Sequence, residues 1–227
     1  MREFLIRICP VAIWCIVAGE ILIAALLFVH AAKRKSKVAL WSGVLTLGLI
    51  LDAAIIGLGS VMPPETLQAI SPVRFIAHGL LIPLLFPICG YALNFKKPLM
   101  TVVWIVTILI MAAGVAQAIA TKLVPETIAN VTRYKSSENT PGWANTISMA
   151  LSFGTVIPMM IAGIIVWIRE KTPHLFLSGF LMFAFSALGP ATGNTDLIFF
   201  ISMFGEILMV LFLYLYARAK TKRRADN

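Results

Sequence analysis

Seven long runs of apolar residues, each bounded by polar or basic residues, limit most strongly what this chain can fold into. A bilayer core about 30 Å thick is crossed by a helix of about 20 apolar residues. Backbone groups inside lipid have no water to bond, so such a run forms a helix there. The runs predict transmembrane helices at residues 5–31, 38–61, 72–93, 99–121, 143–168, 174–188 and 195–217.

The composition agrees with a lipid-embedded chain. Hydrophobic residues make up 59% and charged residues 13%, whereas about 25% of the residues in a soluble domain are charged. We therefore expect an all-α membrane protein, a single seven-helix transmembrane domain spanning residues 1–227. Pro83 and Pro87 in the third run and Pro158 in the fifth predict kinks.

The basic residues predict how the bundle is oriented. Of the 19 lysines and arginines, thirteen fall after the first, third, fifth and seventh runs, and six fall on the other side. The positive-inside rule places the richer side in the cytoplasm. The N-terminus is then outside, residues 122–141 form an external loop, and residues 218–227 form a basic cytoplasmic tail.

Several classes of function are disfavoured. The net charge of +9 comes from short clusters beside apolar runs, which is typical of membrane topology, so we expect no nucleic-acid partner. Cys9, Cys15 and Cys89 have no spacing typical of a zinc site or a disulfide framework. No motif of a soluble catalytic site occurs, and the seventh run has no central lysine for a retinal Schiff base. We therefore expect no metal and no cofactor.

Five ionisable residues inside or at the edges of the runs are the strongest functional candidates. Each costs about 2.5–3.5 kcal/mol to place in lipid, so a bundle usually turns it inward. We predict that they form a substrate or proton pathway. They are Glu20, Asp52, Arg74, His78 and Glu206.

The two glutamates are expected at similar depth. Glu20 precedes Lys33 by about 20 Å of helix, and Glu206 precedes Arg218 by about 18 Å. Each lies in the sequence Gly-Glu-Ile-Leu, which we interpret as convergent placement of one acid and not as a repeat. Two nearby carboxylates in a low dielectric cannot both stay charged, so the pair would hold one proton.

Other polar residues are expected to line the same pocket in the outer half of the bundle. Alternative interpretations stay open for the charged candidates. The glutamates can be neutral hydrogen-bonding groups between helices, and Arg74 can reach lipid phosphate. Gln117 is interpreted as an interfacial residue. The expected pocket residues are Asn145, Ser148, Ser152, Asn194 and Asp196.

These features favour a transporter or carrier for a small solute or ion, coupled to protons through the mid-membrane carboxylates. Two alternatives stay open. One is a heptahelical sensor or a subunit of a larger membrane complex. The other is an intramembrane enzyme acting on a lipid headgroup, with Asp52, His78 and Glu206 as acid–base groups and Arg74 holding a phosphate.

The expected partners are the lipid bilayer and a small solute, ion or lipid. A second membrane protein or a further copy of the chain stays open as a partner. We expect the protein in the plasma membrane, or in the inner membrane of a bacterium.

Overall fold

The computed structural model describes residues 2–192 and 198–226. Most of this chain is helical, with one two-stranded sheet between the sixth and seventh helices. The elements are α1 Arg2–Arg34, α2 Lys37–Leu58, α3 Pro64–Ile70, α4 Pro72–Leu81, a 3₁₀ turn Ile82–Leu84, α5 Leu85–Ala92, α6 Lys97–Ala120, β1 Leu123–Ile128, β2 Val131–Ser136, α7 Gly142–Glu170, α8 His174–Thr192 and α9 Ile198–Asp226.

Among the described residues, six helical segments are long and apolar enough to cross a membrane, and the chain is an integral membrane protein. They are α1, α2, the composite α3–α5 segment, α6, α7 and α9. The described apolar stretch of α8 is shorter, His174–Ala187. Large apolar side chains cover the outside of the bundle; on α6, Ile105, Ile108 and Leu109 are all more than half exposed. A surface of this kind requires lipid around it.

The first and last helices are neighbours in the bundle. α1 packs against α2 and α9, and α9 also packs against α2 and α8. Gly19 on α1 lies so close to α9 that a Cβ there would stand 2.7 Å from Ile207 Cδ1. This close approach places Glu20 and Glu206 on adjoining helices at the same level.

The third predicted helix is divided into several pieces. It begins earlier than expected, with the short α3, and a 3₁₀ turn containing Pro83 separates α4 from α5. Proline has no N–H to donate, which favours an interruption of this kind. Pro158 lies inside the continuous helix α7, where a bend stays a prediction.

The segment predicted as an external loop contains a β-hairpin, which the apolar runs did not indicate. β1 and β2 pair antiparallel, from Leu123 opposite Ser136 to Ile128 opposite Val131. Ala129 and Asn130 turn the chain with positive φ angles of 51° and 61°, the conformation of a tight hairpin turn.

The hairpin is held against the ends of the neighbouring helices. Thr132 N–H donates to the carbonyl of Gly59, just after α2, at 3.0 Å. Tyr134 donates its hydroxyl to the carbonyl of Pro64 at 3.2 Å. Val131 is fully buried among residues of α1, α2 and α9. We call this side of the bundle the hairpin end.

The opposite end collects the basic residues and is called the basic end. Lys220 on α9 contacts the carbonyl of Ala92 at 2.5 Å and the carboxylate of Glu170 at 3.5 Å. α9 continues to Asp226, so the predicted tail is helical through residue 226. α8 likewise continues beyond residue 188, through Gly189 and Pro190, to Thr192.

One glycine contact gives a test of the packing. A Cβ on Gly79 of α4 would stand 2.5 Å from the backbone carbonyl carbon of Gly114 on α6. Because backbone cannot move aside as a side chain can, Gly79→Ala should cost about 1–3 kcal/mol. We expect a thermal midpoint several degrees lower in detergent.

Gly154→Ala on α7 is the matched control, because nothing lies within 4 Å of its added Cβ. Alanine forms helix better than glycine, so this midpoint should stay equal or rise. An equal decrease of the thermal midpoint in the two variants would contradict the close contact of α4 and α6.

Candidate binding cavity

A cavity of about 330 Å³ extends from the hairpin end toward the middle of the bundle. Its walls come from α2, α4, the 3₁₀ turn, α5, α6, α7, α8, α9 and strand β2. Ser148 and Ser152 on the α7 wall are exposed, so the cavity is open on that side. The polar and charged lining residues are Asp52, Arg74, His78, Gln117, Arg133, Ser148, Ser152, Thr155, Ser202 and Glu206.

Asp52 on α2 and Arg74 on α4 form an ion pair in the wall of the cavity. Arg74 donates from Nε to Asp52 Oδ1 at 2.8 Å and from Nη2 to Oδ2 at 3.4 Å. The side chains are 11% and 7% exposed, so Arg74 points inward to an acid and not to lipid phosphate. Arg74 also donates to the carbonyl of Tyr134 in β2 at 3.4 Å. One guanidinium group thus connects two helices and the hairpin.

His78 lies one turn below Arg74 on α4. Its Nδ1 is 3.7 Å from Asp52 Oδ1, and its side chain is 41% exposed. At that separation the contact is longer than a hydrogen bond. His78 is also one of the residues that line the cavity.

Arg133 enters the cavity wall from the hairpin. It donates to Glu126 Oε2 from Nε at 3.0 Å and from Nη2 at 2.7 Å, and its guanidinium lies 4.4 Å from the ring centre of Phe199. Lys135 also contacts Glu126. Burial alone would raise the pKa of Glu126, but the hydrogen bonds from Lys135 and Arg133 outweigh it and hold the pKa below its usual value.

The two predicted mid-membrane glutamates have different positions relative to the cavity. Glu206 lines its deep part, is 7% exposed, and has one carboxylate oxygen, Oε2, without a hydrogen-bond partner in the described chain. Glu20 is fully buried behind the lining, and neither of its oxygens has a partner among the described residues.

The remaining predicted pocket residues divide into three groups. Ser148 and Ser152 line the cavity. Asn145 lies apart from it and accepts a hydrogen bond from Ser136 at 3.4 Å. Asn194 and Asp196 lie outside the described residues.

Four polar lining residues were missed by the interpretation of the sequence: Gln117, Arg133, Thr155 and Ser202. Gln117, interpreted as interfacial, faces the cavity and donates to Thr121 at 2.8 Å. Ser202 lies one turn before Glu206 on the same face, a spacing that could have identified it. Arg133 comes from the hairpin, so the pattern of apolar runs carried no signal for it.

The cavity is lined by hydrogen-bond acceptors, hydrogen-bond donors and apolar side chains. Its volume suits a small molecule, because ligand pockets usually measure about 300–1,000 Å³. Within the described chain, no group of three or more His, Cys, Asp or Glu residues is placed to hold a metal ion. No model of a known protein family matches the chain, and no curated protein sequence matches it either.

The ion pair predicts that removing one partner destabilises the protein more than removing both. Arg74→Ala leaves the Asp52 carboxylate buried without its partner, which should cost about 3–5 kcal/mol. Replacing both residues, as Asp52→Leu with Arg74→Met, removes both charges and should recover most of that loss. Thermal unfolding in detergent measures the effect; a double variant as unstable as the sum of the single ones would contradict this coupling.

The interactions of Glu126 in the hairpin predict that the stability of the protein depends on pH. Because the folded pKa of Glu126 is lowered, its contribution is present above the ordinary carboxylate pKa and disappears as the pH falls through the folded value. The thermal midpoint of wild type should exceed that of Glu126→Gln near neutral pH. The two midpoints should converge on acidification, and a difference that grows instead would refute this role.

Proposed function

We propose that the protein is a membrane carrier that binds a small solute or ion in this cavity and couples its movement to protons. In this proposal the hairpin end faces outward and the basic end faces the cytoplasm, as the positive-inside rule favours. The solute enters beside α7 and is bound between Arg74, His78 and Glu206.

The observation that carries the proposal is the Glu206 carboxyl group, which lines the deep part of the cavity, with Glu20 buried behind the lining. A buried carboxylate without a partner is strongly disfavoured, so an unoccupied Glu206 is favoured in its protonated form. A cation or hydrogen-bond donor that reaches Glu206 would stabilise the ionised form and release the proton. Glu20, directly behind, would make a second charge at this level more costly, which supports exchange of a single proton.

Transport also requires a path to the other side. The lining residues Leu85 and Met209 belong to the same apolar cluster as Ile88 and Leu213, and in this proposal the cluster closes the way to the basic end. The 3₁₀ turn at Pro83 joins α4 to α5 at this level. An interrupted helix beside a site supports a gating role for α5 against α9.

The lipid-headgroup enzyme is less well supported by the same cavity. It needs a guanidinium free to hold a phosphate, yet Arg74 is engaged by Asp52 and Arg133 by Glu126. A phosphate would have to replace one of these carboxylates. A carrier needs no such displacement, because Glu206 presents an oxygen that has no partner in the described chain.

Proton movement in reconstituted vesicles tests the proposal. Vesicles containing the protein and a trapped pH-sensitive dye are given inward gradients of an amine, a carboxylate, a sugar, and sodium or potassium salts. At least one of these probes should change the internal pH faster than in protein-free vesicles. Glu206→Gln should reduce that rate at least about tenfold, since the titrating group is removed.

Glu65→Gln is the matched control, because Glu65 is an exposed carboxylate on α3 at the hairpin end. It should transport at the wild-type rate. Proton movement that persists in the Glu20→Gln/Glu206→Gln double variant would overturn the coupling. The absence of a response to every probe would count against the carrier itself.

A further inference from the structure

A second concave surface lies at the basic end, between the last turns of α1 and α9. It is a groove of about 630 Å³ whose lining combines basic and apolar side chains. His30 holds the two helices together there, with Nε2 at 3.2 Å from the carbonyl of Ala217 and 3.0 Å from Thr221 Oγ1. The groove is separate from the cavity at the hairpin end and shares no residue with it.

Four cations gather in this groove. Lys33 and Arg34 come from α1, and Arg218 and Lys222 come from α9. All four are exposed, and no acidic side chain is among the described lining residues. Like charges brought together in this way repel each other, and a bound anion relieves that repulsion.

The nearby acid does not neutralise the groove. Glu170, at the end of α7, contacts Lys220, and neither of these residues lines the groove. Arg218 lies over the ring of Tyr214, 5.7 Å from its centre. This contact orients a guanidinium beside the apolar part of the groove.

The apolar part lies deeper along both helices. Leu26 and Val29 of α1 are exposed, and Tyr214 and Leu215 of α9 are half-buried. They precede the cations by one to two helical turns, toward the centre of the spans. The groove therefore presents positive charge at the bundle end and apolar surface beside it.

We propose that this groove is a specific site for an anionic phospholipid. The phosphate would contact Lys33, Arg34, Arg218 and Lys222, and an acyl chain would lie along Leu26 and Val29. A phospholipid has the same order of groups, from phosphate to hydrocarbon, and basic pockets between membrane helices bind such headgroups. A free phosphate would use only the basic half.

Native mass spectrometry tests this site on the full chain. The protein is released from neutral detergent containing equal phosphatidylglycerol and phosphatidylcholine, and bound lipids are counted. Wild type should retain one phosphatidylglycerol in preference to phosphatidylcholine. Each cation contributes about fivefold near an anionic headgroup, so Lys33→Gln with Lys222→Gln should weaken retention about 25-fold.

Lys96→Gln with Lys97→Gln is the matched control. It removes the same charge from the exposed start of α6 at the basic end, outside the groove, and should retain the lipid as wild type does. Equal losses in both double variants would show general surface attraction and overturn the site. Equal retention of phosphatidylcholine would also overturn it, as would displacement of the lipid by millimolar inorganic phosphate.

The Leu26→Ser variant is a second way to distinguish a phospholipid site from a phosphate site. It leaves every cation in place but removes apolar contact with the acyl chain. Retention of phosphatidylglycerol should fall at least about threefold, since a lost hydrocarbon contact weakens binding. Unchanged retention would contradict the proposed path of the acyl chain.

Discussion

The ion pair between Asp52 and Arg74 is the interaction on which the architecture of the hairpin end depends. In an apolar bundle a lone charge is costly, so the two residues must be brought together. That requirement fixes α2 against α4, and the bond from Arg74 to the carbonyl of Tyr134 adds the hairpin. The cavity lies between this charged wall and the half of α7 nearest the hairpin end.

The carboxyl groups give this space its chemical character. Asp52 is neutralised by Arg74, whereas Glu206 presents an oxygen without a partner in the described chain, next to the deeper Glu20. In the proposed carrier, an acid of this kind would be neutral when alone and ionised when a cation or donor reaches it. The position of one proton would then distinguish the occupied cavity from the empty one, and the apolar cluster around Leu85 and Met209 would separate the cavity from the basic end.

The helices could be predicted because, in lipid, apolar length alone nearly determines the structure. The depths estimated along the helices also predicted that Glu20 and Glu206 lie at one level, on the first and last helices. Helix rotation was not available from length, so the partner of Arg74 and the position of Gln117 could not be fixed. The hairpin was missed because its signals, Asn130 at the turn and the β-branched residues of β2, lie in a short polar segment. Arg133 was missed for the same reason.

Water access to the deep cavity tests the central claim most directly. The three native cysteines are replaced by alanine, and Ser202→Cys is treated with a membrane-impermeant thiol reagent from either side. Ser202 lines the cavity, whereas Ser42 is fully buried outside it, so Ser42→Cys is the control. We predict that Ser202→Cys reacts from the hairpin side and Ser42→Cys from neither. A Ser202→Cys variant that is unreactive from the hairpin side, or that reacts only from the basic end, would contradict the account.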